Sequence, residues 1–233
     1  MIEMRDDYSK LLAKLKIRFK NPNFLDQAFV HRSYLNEVKI DSPSNERLEF
    51  LGDAILSLIV SSTLFNLRAK DTEGDLTNLR AYIVKTKSLA EASRKLNLGR
   101  YLKLSRGEES GGGRENPQLL ANTYEAILGA VYLDQGLKAC EKVIRESLLP
   151  QFIKEINQGP PKDAKSNLQE IVQEKFKKSP LYKILGTRGP DHAKKFLVAV
   201  YIGEKEMGHG QGSSKQVAEE MAAKEALGKL TVR

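Results

Sequence analysis

The stretch NERLEFLGDAIL, residues 45–56, decides how this chain is read. It is rich in leucine, isoleucine and phenylalanine, yet it carries Glu46, Glu49 and Asp53. Burying an ionised carboxylate costs roughly several kcal/mol unless a compensating charge lies near it. Read as a helix over 44–65 capped by Ser44, the segment spaces its acids three and four apart, on one face. Ser57 and Ser61 continue that stripe, and Leu48, Leu51, Ile55, Leu58 and Ile59 form a separate apolar surface. The segment is therefore a packed helix with one polar seam. Two explanations of the seam stand side by side. The acids are a solvated face paired with bases such as Arg47, or a bound hard cation supplies the missing charge.

A second segment, LLANTYEAILGAVYLDQG (119–136), is also helical and largely apolar, and its seam runs through Asn122, Glu125 and Gly129. Two such helices facing one another are a common way for a bundle to hold a metal. The stretch DTEGDLTNLRA (71–81) offers a further acid, Glu73 or Asp75. Asp75 follows Thr72 by three positions and reads as half of a capping box.

Outward from these segments, residues 8–158 read as mostly helical, with apolar residues at three and four, as in Leu11, Leu12, Leu15 and Leu89, Ala92, Leu96. Gly111-Gly112-Gly113 lacks the Gly-Lys-Ser/Thr ending of a phosphate-cradling loop, so it reads as a mobile loop and no nucleotide cofactor is expected. Gln158-Gly159-Pro160-Pro161-Lys162 reads as a linker. Beyond it the period changes. A helix over 166–176 precedes three extended pieces, at 181–186, 196–202 and 205–210, and a last helix spans 213–230. The expected architecture is an all-α domain over 1–157 and a C-terminal α+β domain of order α-β-β-β-α over 163–233, joined by residues 158–162. Gly208 and Gly210 are read as turn residues, and Phe196 and Val198 as core.

The net charge of +8 is uneven. Residues 1–160 carry 24 Lys/Arg against 21 Asp/Glu, and residues 161–233 carry 14 against 9. A basic C-terminal part points to a polyanion, nucleic acid before membrane. The longest apolar candidate for a membrane span, 54–65, is short and broken by Ser57, Ser61, Ser62 and Thr63, so no membrane partner is expected. One cysteine, Cys140, cannot pair within the chain and reads as a small core residue; a reducing cytoplasm is expected. His31, His192 and His209 lie far apart, which disfavours a histidine-based acid–base mechanism, and His31 reads as structural.

With these motifs assembled, the sequence resembles the bacterial ribonuclease III family. The resemblance rests on HRSYLNE (31–37), NERLEFLGDA (45–54), EGDLTNLRA (73–81) and ANTYEAILGAVYLD (121–134). The C-terminal part resembles a double-stranded RNA-binding domain through LQE (168–170), GPDH (189–192), FLVAV (196–200) and GQGSSKQVAEEMAAKEAL (210–227). The resemblance implies a homodimeric endonuclease that hydrolyses double-stranded RNA to 5′-phosphate and 3′-hydroxyl ends with short 3′ overhangs, in ribosomal and messenger RNA processing. It implies one or two Mg²⁺ per site, with Mn²⁺ able to substitute. It assigns metal binding to Glu49, Asp53, Asn122 and Glu125, catalysis to Asp53 and Glu125, the cleavage valley to Glu46 and Glu73, and a dimer contact to Phe50. In the C-terminal domain it implies RNA contacts from Gln169, Glu170, His192, Ser213, Ser214 and Lys215. The family usually has Asp where this chain has Asn122, and often a second Lys where it has Gln216. Asn can ligate through its carbonyl oxygen but brings no charge. Three readings follow: a natural variant that retains activity, which the three intact acids favour; an introduced change; or a catalytically impaired double-stranded RNA-binding protein.

Overall fold

The computed structural model describes residues 8–38, 43–159, 163–190 and 194–231. The chain divides into two compact units, 1–160 and 161–233. In the first, the described helices are α1 (Ser9–Leu15), α2 (Pro22–Ala28), α3 (Arg32–Leu35), α4 (Glu46–Leu67), α5 (Glu73–Val84), α6 (Thr86–Leu96), α7 (Arg106–Ser110), α8 (Pro117–Gln135), α9 (Leu137–Ser147) and α10 (Ile153–Gln158).

Local chemistry sets several boundaries. Pro117 opens α8, where a missing N–H costs nothing, and Asn116 accepts from the N–H groups of Gln118 and Leu119. Thr72 and Asp75 form the expected capping box at α5. At α4 the cap differs from expectation. Asn45 occupies the cap position without capping; its amide donates to Ala28 O at 3.2 Å, and Ser44 Oγ donates to Glu46 at 3.0 Å. Gly111-Gly112-Gly113 joins α7 to a 3₁₀ turn at Gly113–Glu115.

Helices α4 and α8 form the spine. Leu48, Ile55, Leu56, Ile59, Val60 and Leu64 of α4 share one core with Ala121, Tyr124 and Ile127 of α8, and Cys140 is buried with them. Each such aliphatic side chain contributes about 1.5–3 kcal/mol by leaving water. Helix α4 is long and apolar enough to cross a membrane by length and composition, with a mean hydropathy of 1.6, which corrects the shorter apolar run expected from sequence. Part of that apolarity packs into this core, and Phe50, Leu58, Phe65 and Leu67 carry the rest on exposed surface.

The second unit holds α11 (Ala164–Phe176), an antiparallel sheet of order β1 (Pro180–Arg188), β2 (Lys195–Ile202) and β3 (Lys205–Gly212), and α12 (Lys215–Thr231). Val198 and Val200 are fully buried with Leu168 and Val172 of α11 and Ala218, Ala222 and Ala226 of α12. Gly208 and Gly210 are not turn residues. They lie within β3, opposite Val200 and Val198. A Cβ on Gly210 would stand 1.9 Å from Ala218 O, and one on Gly208 2.5 Å from Ala222 O. The glycines of β3 and the alanines of α12 let helix backbone lie directly on strand.

Candidate active site

Helices α4 and α8 cross at two glycines. A Cβ on Gly52 would fall 1.8 Å from the carbonyl oxygen of Glu125, and one on Gly129 2.2 Å from that of Leu48. The two backbones therefore touch, and the residues flanking the crossing are forced together. Gly129, assigned from sequence to a polar seam, supplies no polar group; its missing side chain admits α4. Gly52 carries a signal that sequence reasoning passed over. A glycine inside a helix costs about 1 kcal/mol relative to alanine, so its presence asks for a close approach.

Beside the crossing opens a cleft of about 580 Å³. Glu46, Glu49 and Asp53 line it from α4, Asn122 and Glu125 from α8, with His31, Arg32 and Phe50 at its margin. Glu73 is not among the lining residues: it is exposed at the start of α5 and accepts from Thr77 Oγ1 at 3.0 Å. His31 and Arg32 were not expected here. The Nδ1 of His31 accepts from Ser33 N–H at 3.3 Å, capping α3, so its structural role and its place in the cleft coexist. Arg32 stands 3.6 Å from Glu46.

The electrostatics of the cleft are unbalanced. Glu125 is pushed up from 4.5 to about 8, first by burial and then by the charges of Asp53 and Glu49. Glu49 is also pushed up, by burial and then by Glu46, with a smaller push from Asp53; a hydrogen bond donated by Asn122 works in the opposite direction. Among the described residues, no Lys, Arg or His forms an ion pair with Glu49, Asp53 or Glu125. Nor do three acidic, histidine or cysteine side chains there stand close enough together to chelate an ion. Burial first, and neighbouring like charges second, hold the Glu49 and Glu125 carboxyls above their ordinary range. The donor set is oxygen throughout, which suits a hard divalent cation.

Comparison with known proteins gives the family. A family model described as "Ribonuclease-III-like" matches residues 21–152, and one described as "Double-stranded RNA binding motif" matches residues 164–230. Ribonuclease 3 of Borreliella burgdorferi is 45% identical over 227 residues, 97% of this chain and 92% of that protein. This chain belongs to the ribonuclease III family. Ribonuclease 3 of Geobacter metallireducens is 41% identical over 97% of this chain and 93% of its own length. Among solved structures, the nuclease domain of ribonuclease III from Campylobacter jejuni aligns with a TM-score of 0.59 and 41% identity, covering 63% of this chain and 99% of that domain. Membership of the ribonuclease III family implies a divalent-metal requirement, and the cleft at the α4–α8 crossing has the chemistry to meet it.

The expected RNA contacts of the second unit sit on exposed surface. Gln169 and Glu170 are exposed on α11. Ser213 and Ser214 precede α12, Lys215 opens it, and all three are exposed; Ser214 Oγ accepts from Val217 N–H at 3.2 Å. His192 lies outside the described residues.

Proposed function

We propose that this chain is a Mg²⁺-dependent endonuclease that cleaves both strands of double-stranded RNA, leaving 5′-phosphate and 3′-hydroxyl ends with short 3′ overhangs. The observation that carries the reading is the cleft itself: three carboxylates without a counter-charge, at a helix crossing, in a chain that also bears a double-stranded RNA-binding motif. Glu49, Asp53 and Glu125 hold the cation, with Mn²⁺ able to replace Mg²⁺. Asn122 stands with them as an uncharged oxygen donor. When bound, the cation supplies Lewis acidity toward the phosphate and acidifies water. The chain's own residues set the conditions. Glu125 must give up the proton that its surroundings favour. Glu46, anchored by Ser44 and Arg32, marks the rim over which RNA enters.

The catalytic unit is assigned to residues 1–157 and the RNA-binding unit to 163–233, joined by 158–162. A-form RNA hides its bases in a deep groove, so recognition falls on shape, 2′-hydroxyls and phosphates. Gln169, Glu170 and His192 are assigned to minor grooves, and Ser213, Ser214 and Lys215 to the phosphates between them. Phe50, 81% exposed, begins a stripe of exposed apolar residues with Leu58 and Phe65 along one face of α4. A second copy of the chain covers it. A homodimer places two clefts along one duplex, with Glu73 facing the RNA beside them. Structured precursors of ribosomal and messenger RNA in the cytoplasm are the substrates assigned to it.

Cleavage of a long RNA duplex in Mg²⁺ tests the reading. The parent chain should cut, EDTA should abolish cutting, and Glu125→Gln should bind duplex without cutting it. Duplex binding by the parent without cleavage in Mg²⁺ or Mn²⁺ would give instead a non-catalytic double-stranded RNA-binding protein.

A further inference from the structure

The segment that brings His31 to the cleft is strapped to residues 103–106. His31 N–H donates to Lys103 O at 3.1 Å, Ser105 N–H to Ser33 Oγ at 3.1 Å, and Arg106 N–H to the Glu37 carboxylate at 3.1 Å. The imidazole is held among these contacts. Its Nδ1 accepts the Ser33 N–H at 3.3 Å and lies 2.8 Å from Ser33 Oγ. Those two contacts fix which ring nitrogen carries the proton. A neutral imidazole has one nitrogen that donates and one that accepts. A proton on Nδ1 would point at the Ser33 N–H, hydrogen against hydrogen. Nδ1 therefore keeps its lone pair. The Ser33 hydroxyl, whose oxygen already takes the Ser105 N–H, turns its own proton toward it. The ring proton then sits on Nε2. Among the described residues no group hydrogen-bonds that nitrogen, and His31 lines the cleft.

We infer that His31 is a substrate-binding residue: its Nε2–H donates to an acceptor oxygen of the RNA backbone at the margin of the cleft, on a phosphate or a ribose 2′-hydroxyl. The inference rests on the nuclease reading above. It adds to the site what the acids lack. Ionised carboxylates only accept, and so do phosphate oxygens, so a backbone drawn over Glu46 and Glu49 needs a donor beside them. Arg32 stands 3.6 Å from Glu46 and is drawn to that carboxylate, whereas the His31 Nε2–H is uncommitted. No proton changes hands in this role. The contact orients the strand, and Ser33 and Ser105 orient the contact.

Two substitutions separate this contact from the capping role of the same ring. An asparagine carbonyl falls near the position of Nδ1 and can accept the Ser33 N–H, but its side chain ends short of Nε2. A glutamine amide reaches the position of Nε2 and can donate there, but leaves the Ser33 N–H uncapped. Thermal unfolding and duplex cleavage in Mg²⁺ are measured on the full-length parent, His31→Asn and His31→Gln. His31→Asn should melt like the parent yet lose about 10-fold in kcat/KM, the worth of about one hydrogen bond. His31→Gln should melt lower and recover most of that loss. If His31→Asn cuts like the parent, the ring is a cap alone and the inference falls, with the nuclease reading left standing. Substrates carrying one 2′-deoxyribose or one methylphosphonate, walked along the cleaved strand, then find the oxygen. At the contacted position the parent slows to the rate of His31→Asn, and His31→Asn is indifferent. The deoxyribose series identifies a 2′-hydroxyl and the methylphosphonate series a phosphate. Substitutions that slow parent and variant by the same factor at every position would also overturn the inference. A parent that cuts in neither Mg²⁺ nor Mn²⁺ removes the nuclease reading, and the inference with it.

Discussion

In the proposed reaction the chemistry turns on Glu125. Its carboxyl ionises near pH 8 in the cation-free protein, against an ordinary 4.5. Between those values the folded chain keeps a proton that the unfolded chain releases, so stability falls as pH rises through that window. The melting temperature in EDTA should therefore drop between pH 4.5 and about 8, and Glu125→Gln should remove most of the drop. Calorimetry at a series of pH values checks this; a melting temperature that rises across the window would contradict it. The same proton competes with a cation. Divalent-ion affinity should rise with pH until Glu125 is ionised, then level off. The carbonyl oxygen of Asn122 accepts from Gln118 Nε2 at 2.7 Å, one turn earlier on the same helix.

At the scale of the element, the crossing of α4 and α8 makes the site. Neither helix alone brings Glu49 and Asp53 beside Glu125. The close approach at Gly52 and Gly129 does so, with backbone against backbone. Gly52→Ala adds a methyl group 1.8 Å from the Glu125 carbonyl, and the helices must part to admit it. Alanine improves helix propensity by about 1 kcal/mol, but overpacking of this kind costs about 3 kcal/mol or more, and the clash wins. Urea unfolding should show Gly52→Ala and Gly129→Ala destabilised by about 2 kcal/mol or more. Duplex cleavage should fall far more than duplex binding, because the binding unit has its own core.

Across the whole molecule, two units divide the work, each with a separate core. Lys215 opens α12 from exposed surface, where a phosphate contact adds affinity without regard to sequence. Lys215→Ala should weaken duplex binding uniformly across sequences and flatten its salt dependence by about one ion released. Fluorescence titrations at several salt concentrations measure both. Phe50 buries little within its own chain, so Phe50→Ala should leave the melting temperature of a protomer nearly unchanged. Its loss should still weaken self-association by about 2 kcal/mol if the ring fills a pocket on a second copy. Sedimentation velocity over a dilution series reports that change; an unaltered dimer would remove the stripe on α4 from the interface.

Much of this was legible in the sequence. The period of three and four, the capping box at Thr72 and Asp75, and the switch to period two beyond residue 163 each depend on atoms within about a turn of one another. Local rules reach that far, and the acid spacing at 46, 49 and 53 was readable for the same reason. Which acids meet was decided elsewhere. Glu73 stands apart from the cleft and His31 and Arg32 line it, because chain segments distant in sequence pack there. Gly52, Gly129, Gly208 and Gly210 look alike as letters, yet each marks a place where one backbone lies against another. By itself the sequence determined the elements, their faces and the family. Only the tertiary structure decided which faces touch, because contact depends on the crossing of helices whose residues are some seventy positions apart, and no periodicity reaches that distance.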